Sequence, residues 1–164
     1  MRRAFLEEVE AVYTERLDAF CSVVAAITGD RGVARDIVHE AFAAAIRSRD
    51  SFRSEGDLAA WVWRIVVNTA RDHQRRSGRK PTTLEEGGIA AEHDFAAAQD
   101  ASPEIVEAIQ ELPERQRLAV FLRYYADLDY RQIGEVLGMA TGTVSATLSA
   151  AHRNLQQQLR EVPR

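Results

Sequence analysis

Residues 57–80 read DLAAWVWRIVVNTARDHQRRSGRK, and the reading of this stretch decides the fold. Its first half is apolar and aromatic (Leu58, Trp61, Val62, Trp63, Ile65, Val66, Val67), and its second half is basic (Arg71, Arg75, Arg76, Arg79, Lys80). Asp57 is a good N-cap and no Pro or Gly interrupts the chain before Gly78, so the pattern predicts one continuous helix. Leu58, Trp61, Val62 and Ile65 form one stripe of that helix, while Arg64, Asn68, Arg71 and Arg75 recur on another. Such a helix can pack its aromatic side inward and lay an Arg/Asn/Arg/Arg line along a nucleic-acid backbone, with the amide touching a base edge. A solvated polar face opposite a core gives the same pattern.

Working outward, the N-terminal side carries a second amphipathic pattern. Phe5, Val9, Val12, Tyr13, Leu17, Phe20, Val24 and Ile27 recur at helical spacing until Gly29. Asp30 is then the expected cap of a helix burying Ala34, Ile37, Val38, Ala41, Phe42 and Ile46, with Arg35, Asp36, His39, Glu40 and Arg47 outside. Arg49–Gly56 reads as a polar loop holding one aromatic, Phe52.

On the other side, the segment from Ser77 to Ala101 has the composition of a linker, with a marginal helical turn around His93–Gln99. Ser102-Pro103-Glu104 starts a helix ending near Leu112, and Pro113 opens the next, with Leu118, Val120, Phe121, Leu122 and Tyr125 as its apolar residues. Tyr130–Leu137 (Ile133, Val136, Leu137 inward) and Thr143–Leu159 (Val144, Leu148, Ala151, Leu155, Leu159 inward) flank Gly138-Met139-Ala140. Two helices around a short Gly-containing turn match a helix-turn-helix, and an ordinary helical hairpin has the same spacing. The fold class expected is all-α: two small helical domains joined by an acidic flexible linker, at residues 1–78, 79–101 and 102–164, the last carrying the helix-turn-helix.

Composition bounds the function. The net charge of −4 is unevenly spread: residues 1–80 carry 14 Lys/Arg against 12 Asp/Glu, residues 81–103 carry five acids and no base, and residues 104–164 carry 7 against 8. Such a chain does not grip DNA by counterion release alone and is expected to bind it with help. No membrane span and no signal peptide are evident, so a cytoplasmic protein without membrane insertion is expected. The single Cys21 can form no internal disulfide or Cys-based zinc site and reads as a buried thiol. Four scattered histidines (His39, His73, His93, His152) lack metal-ligand spacing, and no phosphate-cradling loop or nucleophile motif occurs. A turn before a helix accounts for Asp127 and Asp129 near Glu135 better than catalytic carboxylates. No catalytic residue, metal or cofactor is expected, and the protein is not expected to be an enzyme.

Three motifs, TGDRGVARDIVHEAF (Thr28–Phe42), FRSEGDLAAWVWRIVVNTARDHQRR (Phe52–Arg76) and LPERQRLAVFLRYYADLDYRQIGEVLGMATGTV (Leu112–Val144), occur in this order. On them the chain resembles, over nearly its whole length, the extracytoplasmic-function sigma factors of the sigma-70 family. The resemblance implies a factor that directs core RNA polymerase to promoters and assists DNA opening. It implies polymerase docking by the face holding Asp36, Ile37, Val38, His39, Glu40 and Phe42. It assigns the minus-ten element to Phe52, Arg53, Trp61, Arg64, Asn68, Arg71, Arg75 and Arg76, with the Phe52–Asp57 loop helping to hold a flipped-out base. It assigns the minus-thirty-five element to Arg131, Thr141, Thr143, Ser145, Thr147, Ser149, His152 and Arg153. The acidic linker would pass near the RNA path of the polymerase, and an anti-sigma factor would hold the protein inactive.

The chain departs from the family pattern in three places. His39 stands where Gln is usual, and Ser145 and Thr147 replace the usual Lys and Arg of the recognition helix. No Lys or Arg lies between Arg131 and Arg153, so weak autonomous DNA binding by residues 104–164 is expected. Ala140 also takes the place of a capping Ser, leaving Thr141 as substitute cap. These departures leave two alternatives: a sigma-like protein binding polymerase or another regulator with weak minus-thirty-five recognition, or a stand-alone helix-turn-helix regulator.

Overall fold

The computed structural model describes residues 2–53, 55–78 and 103–161. The helices are α1 (Arg2–Thr28), α2 (Ala34–Arg47), α3 (Leu58–Arg76), α4 (Pro103–Gln110), α5 (Glu114–Tyr124), α6 (Tyr130–Leu137) and α7 (Thr141–Glu161), with a 3-10 turn at Arg49–Ser51. Among the described residues there is no strand. The turn expected around His93–Gln99, and the linker itself, lie outside the described residues.

In the N-terminal half α1, α2 and α3 pack against one another. The centre is aromatic: Phe20 and Trp63 are fully buried with ring centroids 4.1 Å apart, and Phe42 meets Phe20 edge-on at 5.2 Å. Val24, Val38, Val62, Val66 and Val67 close around them without exposure. The inward line of α3 runs deeper than the stripe expected from sequence: Leu58, Trp61 and Ile65 are only half-buried, while Trp63, Val66, Val67 and Ala70 are inside. Cys21 is half-buried rather than fully enclosed, and the desolvation it undergoes raises its thiol pKa.

Three expectations for α2 are corrected. Asp30 does not cap it: its Oδ1 accepts from the Gly32 N–H at 2.8 Å, an Asx turn that delays helix entry to Ala34 and leaves Val33 in the N-cap position without a side-chain bond. Ile46 is 39% exposed, because Ala45 takes the inward position in the last turn. Ile37, Val38 and Phe42 belong to the core, at 2%, 0% and 6% exposure, so the outer face there consists of Asp36, His39 and Glu40.

In the C-terminal half α4, α5 and α6 pack on α7 around Leu118, Leu122, Leu128, Ile133 and Leu148. Arg117 is buried and donates to the Gln110 carbonyl at 2.9 Å, closing the α4–α5 corner; burial lowers its pKa against the pull of Glu114. Pro113 occupies the N-cap of α5, so the helix begins at Glu114, one residue later than expected. Asp127, at φ 54°, makes the left-handed turn before α6, and Asp129 caps α6. Burial along α7 fades from Leu148 through Leu155 to Leu159, which is 39% exposed rather than inward, because this 21-residue helix outruns the shorter helices packed on it. The Ala140 carbonyl accepts from the Val144 N–H at 3.0 Å, so Ala140 holds the N-cap position of α7 and Thr141 is already helical, not the substitute cap.

The turn between α6 and α7 sets the helix-turn-helix angle. Gly138 adopts φ 65° as the C-cap of α6, and the Met139 N–H bonds back to the Gly134 carbonyl at 2.9 Å. A Cβ at Gly134 would lie 2.5 Å from the Met139 carbonyl oxygen. Gly134→Ala is therefore expected to destabilise the protein by about 1–3 kcal/mol. Gly142→Ala, where no atom lies within 4 Å of the new Cβ, should stabilise by up to about 1 kcal/mol. Thermal melts of the two variants, followed by circular dichroism, should shift in opposite directions.

Candidate nucleic-acid interface

Asp57 starts α3 as expected. Its Oδ1 accepts from the Ala60 N–H at 3.2 Å, fixing where the helix begins. Along that line Arg64, Asn68 and Arg75 are exposed, and Arg76 stands exposed at the end of the helix. Arg71 is partly covered and pairs with Glu114 at 3.2 Å; Arg75 pairs with Asp72 one turn back.

At the head of α3 lies a cleft of about 490 Å³, lined among others by Phe52, Arg53, Asp57, Trp61, Arg64 and Glu135. The Phe52 and Trp61 rings stand 5.3 Å apart and both meet Phe5, at 6.1 and 6.2 Å. An aromatic wall beside two guanidinium groups suits an unstacked base with its phosphate. Phe5 and Glu135 were not foreseeable here. Phe5 reads as one more inward residue of α1, and Glu135 comes from the other half of the chain.

Asp57 is also held by a second donor. The Gln132 side-chain Nε2 donates to Asp57 Oδ2, while Gln132 Oε1 accepts from the Asp129 N–H at 2.8 Å and Asp129 Oδ1 accepts from the Gln132 N–H at 2.8 Å. The caps of α3 and α6 are thus one hydrogen-bonded chain. Burial opposes the charge on Asp57, but the bonds from Gln132 and the Ala60 and Ala59 N–H groups, with the nearby Arg131 charge, outweigh it and hold the carboxyl below its ordinary range.

On α2, Asp36, His39 and Glu40 are exposed, and the Tyr13 hydroxyl shares a 2.8 Å hydrogen bond with His39 Nε2, fixing the imidazole against α1. On α7, Gly142, Ala146, Ser149 and Arg153 recur at steps of four, three and four, opposite the buried Val144, Leu148 and Ala151. Ser145 and His152 flank this line; His152 Nε2 is 2.9 Å from the Tyr124 hydroxyl. Thr143 is exposed, whereas Thr147 is half-buried and returns its hydroxyl to the Thr143 carbonyl at 2.7 Å. Arg131, on α6, is exposed and lies 3.7 Å from Glu135.

The sigma-70 region 2 family matches residues 12–80 and the sigma-70 region 4 family residues 102–155. The RNA polymerase sigma-H factor of Pseudomonas aeruginosa is 31% identical over 149 residues, 82% of this chain and 77% of that protein. The ECF RNA polymerase sigma-E factor of Escherichia coli K12 is 30% identical over 143 residues, 79% of this chain and 75% of that one. The chain belongs to the extracytoplasmic-function sigma factors. As a sigma factor it is a transcription initiation factor, directing core RNA polymerase to promoters, and the matches to both halves give no support to a stand-alone regulator. Its fold is shared with the sigma factor RpoE of Bartonella quintana, solved with the anti-sigma factor NepR (24% identity, TM-score 0.71, 98% of this chain and 99% of that one). It is shared also with CnrH, solved with the cytosolic domain of CnrY (18% identity, TM-score 0.73, 96% and 91%). Among the described residues no helix of this sigma factor is long and apolar enough to cross a membrane.

A carboxyl whose folded pKa is lowered adds stability above its unfolded pKa and loses it as pH falls through the folded value. The Asp57 contribution is therefore present at neutral pH and lost on acidification below the ordinary carboxylate range. Asp57→Asn should lower the melting temperature at neutral pH, and the gap to the wild type should narrow steadily in acid titrations followed by thermal melts.

Proposed function

We propose that the sigma activity is divided along the chain: residues 1–78 dock on core polymerase and handle the minus-ten element, residues 79–101 link, and residues 102–164 meet the minus-thirty-five element. The observation that carries this reading is the exposed Arg64–Asn68–Arg75 line of α3 running from the aromatic cleft at its head. Arg64, Arg71, Arg75 and Arg76 hold phosphates of the opened non-template strand, and Asn68 offers its amide to a base edge. Phe52, Arg53 and Trp61 receive a base flipped out of the stack. Docking falls to Asp36, His39 and Glu40, and Tyr13 sets the orientation of His39. Ile37, Val38 and Phe42 shape that face from beneath.

The minus-thirty-five contacts are weaker. Thr141, Thr143, Ser145, Ser149 and His152 can bond to bases or phosphates, Thr147 buttresses the helix, and Arg131 and Arg153 supply the cations. Five linker acids (Glu85, Glu86, Glu92, Asp94, Asp100) present carboxylates to the basic RNA path of the polymerase. The protein acts in the cytoplasm, where polymerase and DNA are, and performs no covalent chemistry. An anti-sigma factor holds it in check, as the complex of the Bartonella quintana relative suggests.

Run-off transcription with bacterial core polymerase on a genomic promoter library tests the reading. Discrete start sites are expected with the wild type. Asn68→Ala and Arg71→Ala should abolish them while core polymerase still captures both variants; unchanged transcripts would refute the minus-ten assignment. Ser145→Lys should steepen the salt dependence of holoenzyme binding to duplex promoter DNA by about 0.9 in log–log slope, one added phosphate contact.

A further inference from the structure

Ser145, Ser149, His152 and Gln156 follow one another along α7 at steps of four, three and four, and all are exposed. They form a polar stripe without Lys, Arg, Asp or Glu. One side chain from outside α7 joins it. Tyr124, the last residue of α5, places its hydroxyl 2.9 Å from His152 Nε2, with the two rings 6.0 Å apart. At 61%, Tyr124 is the most exposed large hydrophobic side chain among the described residues. A single exposed tyrosine needs no explanation. One hydrogen-bonded across 28 residues to the recognition helix does. The bond is not needed to hold α5 on α7: Leu118, Leu122, Leu148 and Ala151 are buried there, and Asn154 Nδ2 donates to Gln116 Oε1 at 2.8 Å.

The pair keeps a donor to spare. With the ring hydrogen on Nε2, the imidazole donates to the Tyr124 oxygen and the hydroxyl hydrogen is left to donate outward. With it on Nδ1, the hydroxyl donates to Nε2 and the Nδ1–H is the group left over. Either way one donor remains, and the internal bond sets its direction. We propose that Tyr124 and His152 act as one phosphate-binding unit at the edge of the minus-thirty-five interface, a role that rests on the minus-thirty-five reading of α7. The unit holds the duplex backbone where the recognition helix lacks Lys and Arg. Its partner is a phosphate rather than a base edge, because Tyr124 stands on α5, beside the helix that enters the groove. A residue placed there meets the wall of the groove, which is sugar and phosphate.

The test titrates full-length protein, assembled with core polymerase, on a labelled promoter duplex taken from the run-off experiment. Single methylphosphonates neutralise the phosphates of the minus-thirty-five element one at a time. Wild type is compared with Tyr124→Phe, His152→Ala and the double variant. Tyr124→Phe should bind the unmodified duplex about three- to tenfold more weakly, the loss of one hydrogen bond. It should also ignore one methylphosphonate that weakens wild type. Its log–log salt slope should match wild type, since a hydroxyl and not a charge is removed. His152→Ala should lose sensitivity at the same phosphate, and the double variant should bind no more weakly than the weaker single variant. Thermal melts of Tyr124→Phe should coincide with wild type, because the hydroxyl lies on the surface. The proposal is overturned if Tyr124→Phe keeps the wild-type phosphate profile, or if the losses of the two single variants add. If no methylphosphonate in the element weakens wild type, the minus-thirty-five reading itself falls, and the proposal with it.

Discussion

The Asp57 carboxylate has two oxygens and uses both. One caps α3, and the other takes the free amide hydrogen of Gln132, whose remaining capacity completes the capping box of α6. Helix ends leave backbone N–H groups without intrahelical partners, and a side-chain acceptor there sets the residue at which the helix begins. Burial of Trp63, Val66 and Val67 then chooses the inward face of α3, and helical spacing turns Arg64, Asn68 and Arg75 outward. The same carboxylate fixes where the C-terminal half sits on the N-terminal one. Helix register and domain arrangement share one group.

The aromatic residues divide by depth. Phe20, Phe42 and Trp63 stand at the centre of the interior, each burying a large apolar area among the aliphatic side chains of three helices. Phe5, Phe52 and Trp61 form a second, shallower group at the head of α3, half-buried and wetted on one side. A fully packed aromatic cluster has no room for a ligand, and a fully exposed one would be an adhesive patch. The intermediate burial of the second group, beside Arg53 and Arg64, is what makes the cleft able to take a base.

Much of this was legible in the sequence because the signals were local. The seven helices among the described residues follow from apolar periodicity and from Gly and Pro punctuation, and Asp57 announces itself as a cap. Where the reading failed, competing local chemistry was the cause. Asp30 has a carboxylate suited to a cap, yet the Gly at position 32 offers an N–H two residues on, and the Asx turn wins. Ile37, Val38 and Phe42 were assigned to an outer docking face from the family motif, although the spacing had already placed them inward; the periodicity was the better guide. Ile46 and Leu159 sit at or near helix ends, where a periodic apolar residue has fewer neighbours to bury it. Glu114, Gln132 and Glu135 carry no sequence signal as partners of α3. They are separated from it by dozens of residues, and only the packing of α5 and α6 brings them there.

The charge distribution answers one problem. A DNA-binding face must carry unpaired cations, and a free protein with such a face binds nucleic acid indiscriminately, since the phosphate term carries no sequence information. This chain keeps the recognition helix nearly free of Lys and Arg, which removes one source of non-specific binding. It keeps the cations of α3 and covers one of them with Glu114, with Glu135 beside the head of the line. A weakly basic sigma factor thus limits indiscriminate binding by carrying few cations on its recognition helix and by pairing one cation of α3 within the protein.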